Sequence, residues 1–288
     1  MREIKRLSKR NWATLQDLWI DHIPSIDFAA RYPEPTISQL PELFIPEFDA
    51  GGVADVPYVD GVREAIFREA ILLSRKFIYC AAVLPILAGV GKNTSTALAA
   101  YEASFYGAKA FCYLLGFASL GRNSKHYVDA FVGVERKVGK SRVVVFDSLR
   151  FHRLKERLTH EVLWAITARL VDTSIFDGDA RDAQGQLKLV DWEKFTSFRN
   201  GIYYDGADWP MSDEPERCDI MGSAVLDEIN AAARLDLPCS APFADHYFKT
   251  AALFRVMISS MLASIGEVAP ILRTEADAFD ALRPSARA

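Results

Sequence analysis

The chain is poor in the residues that staple small or metal-bound folds. Its four cysteines, Cys80, Cys112, Cys218 and Cys239, are scattered over 288 residues with no CxxC pair, which excludes a zinc ribbon and a dithiol redox motif. Cys80 and Cys112 sit in apolar runs and read as core thiols, as in a reducing cytosol. An excess of either charge is also missing. The net charge is −4, so the molecule as a whole does not attract nucleic acid, and any such contact has to use a local basic patch. The best membrane candidate, "FIYCAAVLPILAGVG" at 77–91, is 15 residues long and contains Pro85, short of the about 20 residues of a spanning helix. The opening "MREIKRLSKR" lacks the apolar stretch of a secretory signal. The expectation is a cytoplasmic protein without a membrane segment, a metal site or a cofactor.

Half of the residues are hydrophobic and a quarter are charged, an ordinary globular composition with ample material for a core. "NWATLQDLWI" reads as a short amphipathic helix with Asn11 as its N-cap. Residues 24–57 hold six of the 13 prolines and read as an extended arm, because proline interrupts both helix and central strand. A long helix starts after Asp60, and Pro85 is expected to kink or end it. A second helix follows Thr94. "YVDAFVGVERKVGKSRVVVFD", 127–147, alternates on both sides of "KVGKS" and reads as a β-hairpin. A helix is expected from Ser148 through "LRFHRLKERLTHEVLWAITARLV", then a polar loop over 174–190. Helices at "DWEKFTSFRN", at about 219–235 and at 243–265, with a tail helix after Pro270, complete the chain. The fold class expected is mainly α, a helical bundle with one inserted hairpin. The division expected is an N-terminal helix and proline-rich arm over 1–59 and the bundle over 60–288.

Three patterns imitate ligand sites. "GVGKNT" at 89–94 lacks the first Gly and the final Ser or Thr of a phosphate loop, and reads as an inter-helix loop. "DGDARDAQGQLK" at 177–188 has Asp182 and Lys188 where a calcium loop needs Gly and Glu. His152, Glu156 and His160 recur every four residues, so on a helix they share one face, with Arg153 and Arg157 beside it. Three side chains in a line do not close around one ion. That face reads as solvated, or as a basic contact surface.

In the helix after Thr94, Ala100, Ala103, Gly107 and Ala110 fall in one sector and admit a close helix neighbour. Glu102, Tyr106, Lys109 and Tyr113 form a narrow polar stripe. The text "AAYEASFYGAKAFCYLLGF" resembles the central helix of the HEPN family, the higher-eukaryote and prokaryote nucleotide-binding helical domains. "FREAILLSRKFIYCAAVLP" and "FRNGIYYDGADW" are similar to flanking parts of that family more loosely. The resemblance implies a HEPN-like bundle that often dimerises and a metal-independent ribonuclease of bacterial defence or toxin–antitoxin systems. In such an enzyme an Arg-polar-His motif supplies a cation for the phosphate and an imidazole for proton transfer.

Arg199-Asn200 matches the first half of that motif, but no His follows until His246. His126, with three residues between it and Arg122, and His160, with six between it and Arg153, are the other imidazoles to weigh. For binding without cleavage, Tyr203, Tyr204 and Trp209 offer stacking surfaces and Arg153 and Arg157 offer phosphate contacts. The plain alternative is that Asn200 and Gly201 close a helix. Three functions follow as expectations: an RNA-binding or RNA-cleaving HEPN-like component; a non-catalytic scaffold recruiting a partner protein; and a small-molecule or nucleotide sensor with a pocket near Tyr106 and Tyr113. The partners expected are RNA or a nucleotide, with a homodimer or a partner subunit.

Overall fold

A computed structural model describes residues 7, 9–23, 48–89, 93–120, 125–138, 141–154, 160–195 and 245–266. The chain divides into two compact units, Met1–Ile71 with Cys112–Ile175, and Leu72–Phe111 with Phe176–Ala288. Two of the three boundaries fall inside helices, and the third follows Ile175.

The first unit is built around an antiparallel sheet. Its strands β2 (Val53–Pro57), β3 (Phe117–Ser119), β4 (His126–Val138) and β5 (Ser141–Arg153) lie in the order β2-β5-β4-β3. β1 (Arg10–Asn11) and β6 (Ser174–Ile175) form a separate parallel pair. Helix α1 (Trp12–His22) begins where the sequence places it: the Asn11 side chain accepts a hydrogen bond from the Ala13 N–H at 3.0 Å, satisfying a donor that the first helical turn leaves open. Trp19, fully buried, anchors α1. Its ring meets Phe67 and Phe131 at 4.9 and 4.6 Å, and its indole N–H donates to the Leu114 carbonyl at 2.7 Å. Helix α4 (His160–Thr173) buries Leu163, Trp164, Ile166, Thr167, Leu170 and Val171, the three-to-four spacing of a single packed face.

The second unit is helical where it is described. It takes the later part of α2 (Val62–Gly89), most of α3 (Asn93–Leu114), α5 (Gly178–Leu187), a helical turn at 192–195 where the helix expected at "DWEKFTSFRN" begins, and α6 (Asp245–Gly266). The small-residue sector of α3 does what its spacing implies. Ala100, Ala103 and Ala110 are fully buried, and a Cβ on Gly107 would stand 2.9 Å from the Cβ of Phe254 and 3.0 Å from the ring of Phe77. Ser104 Oγ donates to the Tyr247 carbonyl at 2.7 Å, and the Tyr247 hydroxyl to the Phe195 carbonyl at 3.0 Å.

Five expectations are corrected. The fold is mixed α/β rather than a mainly α helical bundle with one inserted hairpin, because the hairpin is the middle of a four-stranded sheet. Residues 148–153 are strand rather than helix. Leu149 and Phe151 are buried on one side while Arg150 pairs with Asp55 of β2 on the other, the period of two of a strand; on a helix Leu149 and Phe151 would lie about 200° apart. His152 therefore sits on β5 and His160 on α4, so the two do not share a helix face, and Glu156 lies outside the described residues. Residues 178–187, read as loop, form α5, which buries Ala180, Ala183, Gln184 and Leu187. Residues 53–57, read as proline-rich arm, are β2; Pro57 is the strand's last residue, where a missing N–H is tolerated. Helix α2 also continues through Pro85 to Gly89.

Two helices, over Val62–Leu87 and Tyr247–Gly266, are long and apolar enough to cross a membrane by length and composition. The first also carries Arg63, Glu64, Arg68 and Glu69, charges that are expensive in lipid.

Candidate functional site

One end of the sheet gathers two of the residues nominated from sequence. His126 opens β4, Arg153 closes β5, and the two are direct cross-strand partners, so their side chains leave the same face. A tight turn brings in a third group. Gly52 N–H donates to the Asp49 carbonyl at 2.9 Å, and Asp49 Oδ1 accepts from the Val53 N–H at 2.8 Å. Gly52 adopts a φ of 72° and its carbonyl accepts from the Arg153 N–H at 2.7 Å. A Cβ there would stand 2.9 Å from the Arg153 carbonyl oxygen, so both the conformation and the close approach require glycine. The turn carries Phe48 back over the strand ends. The His126 ring stacks on Phe48 at 5.3 Å and 18°, and the Arg153 guanidinium lies 5.3 Å from the Phe48 centroid. Arg153 and the adjacent Lys125 are exposed, and His126 and Phe48 are half-buried. The result is a basic and aromatic cluster on a rigid strand end. It supplies a guanidinium for a phosphate and planar surfaces for a base.

At the other end of β2 lies a polar network with no trace in the sequence pattern. Arg63 is nearly buried. Its Nε donates to the Ala130 carbonyl at 3.0 Å, one terminal nitrogen to the Phe146 carbonyl, and the other to His22 Nε2 at 3.1 Å. Its guanidinium lies 4.2 Å from the Tyr58 ring centroid and 4.9 Å from that of Phe131. An arginine only donates, so His22 Nε2 accepts and Nδ1 carries the proton, which it gives to Glu64 Oε1 at 2.7 Å. The Tyr58 hydroxyl donates to Glu64 Oε2 at 3.2 Å. Burial works against the Glu64 charge, but the hydrogen bonds from His22 and Tyr58 outweigh it and hold the carboxyl below its ordinary range. Burial, reinforced by the Glu64 charge, pushes Tyr58 up to about 12. Arg63, Glu64 and His22 each close on neighbouring protein groups, so this is a clasp joining α1, β2 and α2 to the sheet.

A third cluster is buried. Arg10 pairs with Asp129 at 2.5 Å, both about 2 % exposed, and donates to the Leu115 carbonyl. Asp129 also accepts from the Phe131 N–H at 3.1 Å. Nearby His152 is buried beside the Phe117 ring. Burial, despite Asp129, lowers its tendency to take a proton.

Of the other nominated residues, His160 opens α4. Arg199, Asn200, Tyr203, Tyr204 and Trp209, together with Arg157, lie outside the described residues. Tyr113 is engaged within the first unit: its hydroxyl bonds to Ser119 Oγ at 2.8 Å and accepts from the Ser119 N–H at 3.2 Å. Among the described residues no group of three or more His, Cys, Asp or Glu side chains is arranged to hold a metal ion. His126 and Arg153 are separate candidates in the sequence; Phe48 has no signal there other than the turn at Asp49–Gly52 that follows it.

No family model matches the chain, and neither do any curated protein or solved structure.

Proposed function

We propose that the chain binds RNA at the sheet end formed by His126, Arg153 and Phe48. The observation that carries this reading is the cross-strand pairing of an exposed Arg with a His, both set against one aromatic ring. Arg153 contacts a backbone phosphate, Lys125 adds charge, and an unstacked base extends the aromatic pile; aromatic and guanidinium planes recognise single-stranded RNA in this way. Such a local basic patch is what a chain of net charge −4 needs in order to hold a polyanion. A defence or toxin–antitoxin setting in the cytoplasm belongs to the same proposal, on the likeness of residues 99–117 alone.

The test is fluorescence anisotropy with a labelled single-stranded RNA in EDTA, the same samples then run on a gel for cleavage. Arg153→Ala and His126→Ala are expected to weaken binding about tenfold each, the scale of one lost stacking or charge-assisted contact. Equal affinity in wild type and both variants would overturn the assignment. Cleavage that His126→Ala abolishes would extend it from binding to catalysis.

A second reading, recruitment of a partner protein, is favoured by the uncovered valines of the β4–β5 hairpin.

A further inference from the structure

Beyond the four-stranded body of the sheet, β4 and β5 run on as a two-stranded arm. β3 pairs with β4 only at Tyr127–Asp129, and β2 pairs with β5 only at Ser148–His152. The Tyr58 N–H takes the Asp147 carbonyl and Arg63 takes that of Phe146. Residues 141–145 of β5 and 134–138 of β4 are thus left with open outer edges among the described residues. The arm holds half of the large exposed apolar side chains there: Val138 and Val144 are 61% and 55% exposed, and Val134 and Val143 nearly 40%. A two-stranded ribbon is marginal in water, and an open β-branched edge is a template for another strand.

We infer that the outer edge of β5 at 141–145 pairs with the same edge of a second copy of this chain. The choice of occupant and edge rests on charge. In a symmetric antiparallel pair, facing residues share a side of the sheet, so the two-fold passes at one residue, which faces its own copy. On β4 a two-fold at Glu135, Arg136 or Lys137 sets like charges face to face, which is destabilising. Val138 is the last residue of β4, so a two-fold there has no described strand beyond it to pair. Val134 as the centre falls in the irregular register between Val132 and Val134. On β5, "SRVVV" carries one charge. A two-fold at Val143 sets valine against valine, Arg142 against Val144 and Ser141 against Val145, with no like charges facing. The free stretch is also the length that Arg63 and Tyr58 leave open. An edge of five residues is short of a standard interface, so the dimer is weak, forming at roughly micromolar concentrations and above.

The test is sedimentation velocity of the full chain from about 1 to 100 µM, with circular dichroism to confirm that each variant is folded. Wild type is expected to dimerise as concentration rises. Val143→Lys, which sets two ammonium groups across the axis, is expected to raise the dissociation constant at least tenfold. Val138→Lys, on the other strand, is expected to leave it unchanged. Val143→Cys is expected to form a disulfide between copies under mild oxidation, while Val138→Cys stays unlinked. A monomer throughout the range, a dimer indifferent to Val143→Lys, or one lost only with Val138→Lys would each overturn the inference. None of these outcomes depends on RNA being bound.

Discussion

Arg63 engages Nε and both terminal nitrogens inside the first unit, on two carbonyls and one imidazole. Burial lowers its pKa, yet an arginine stays charged. Replacing it by Leu removes a donor from each of those acceptors and leaves Glu64 and His22 without their neighbour. Arg63→Leu is therefore expected to lose about 2–4 kcal/mol of stability in urea unfolding. Arg63→Lys, with one compact ammonium in place of a fork, should recover less than half of that. A loss under about 0.5 kcal/mol, the level of an ordinary surface change, would show that the clasp is ornamental. His152 gives a second test, in pH. Its folded-state pKa lies below 6.5 because burial disfavours the imidazolium. The unfolded chain therefore takes up a proton first as pH falls through 6.5, and the folded state loses stability in that window. Wild type should unfold at lower urea at pH 5.5 than at pH 7.5, and His152→Phe should show a shallower pH dependence. An unchanged slope would move the titration elsewhere.

Elements were legible where their signals are local. The Asn11 cap, the β4–β5 hairpin and the small-residue sector of α3 all depend on residues close to one another in sequence. The last of these makes a sharp prediction. On propensity alone Gly107→Ala should stabilise α3 by about 1 kcal/mol, but the new methyl meets Phe254 and Phe77 at 2.9–3.0 Å. The net expectation is a loss of about 1–3 kcal/mol. Gly185→Ala in α5, where nothing lies within 4 Å of a Cβ, should show the bare propensity gain. Equal effects at the two glycines in thermal or urea unfolding would remove the close-packing account of α3. The same locality explains the misreading of β5. Phe151, Leu154 and Leu158 fit a helix stripe, and the strand that decides otherwise is distant in sequence, with Asp55 lying 95 residues from its partner Arg150.

At the scale of the whole molecule, the sites are products of sheet register rather than motif. His126 and Arg153 become neighbours only when β4 and β5 pair, and Phe48 joins them only through the Gly52 turn. The clasp joins His22 to Glu64 across 42 residues, a separation at which sequence spacing carries no signal. The HEPN-like text of α3 is real as a packing pattern, since small residues at helical spacing serve any close helix pair. The central claim, an RNA site at the sheet end, is tested most directly by ultraviolet crosslinking of bound RNA followed by peptide mass spectrometry. Adducts are expected on the peptides containing Phe48 and His126, and are lost in Arg153→Ala. Adducts confined to other peptides, among them that of Tyr203, Tyr204 and Trp209, would contradict it.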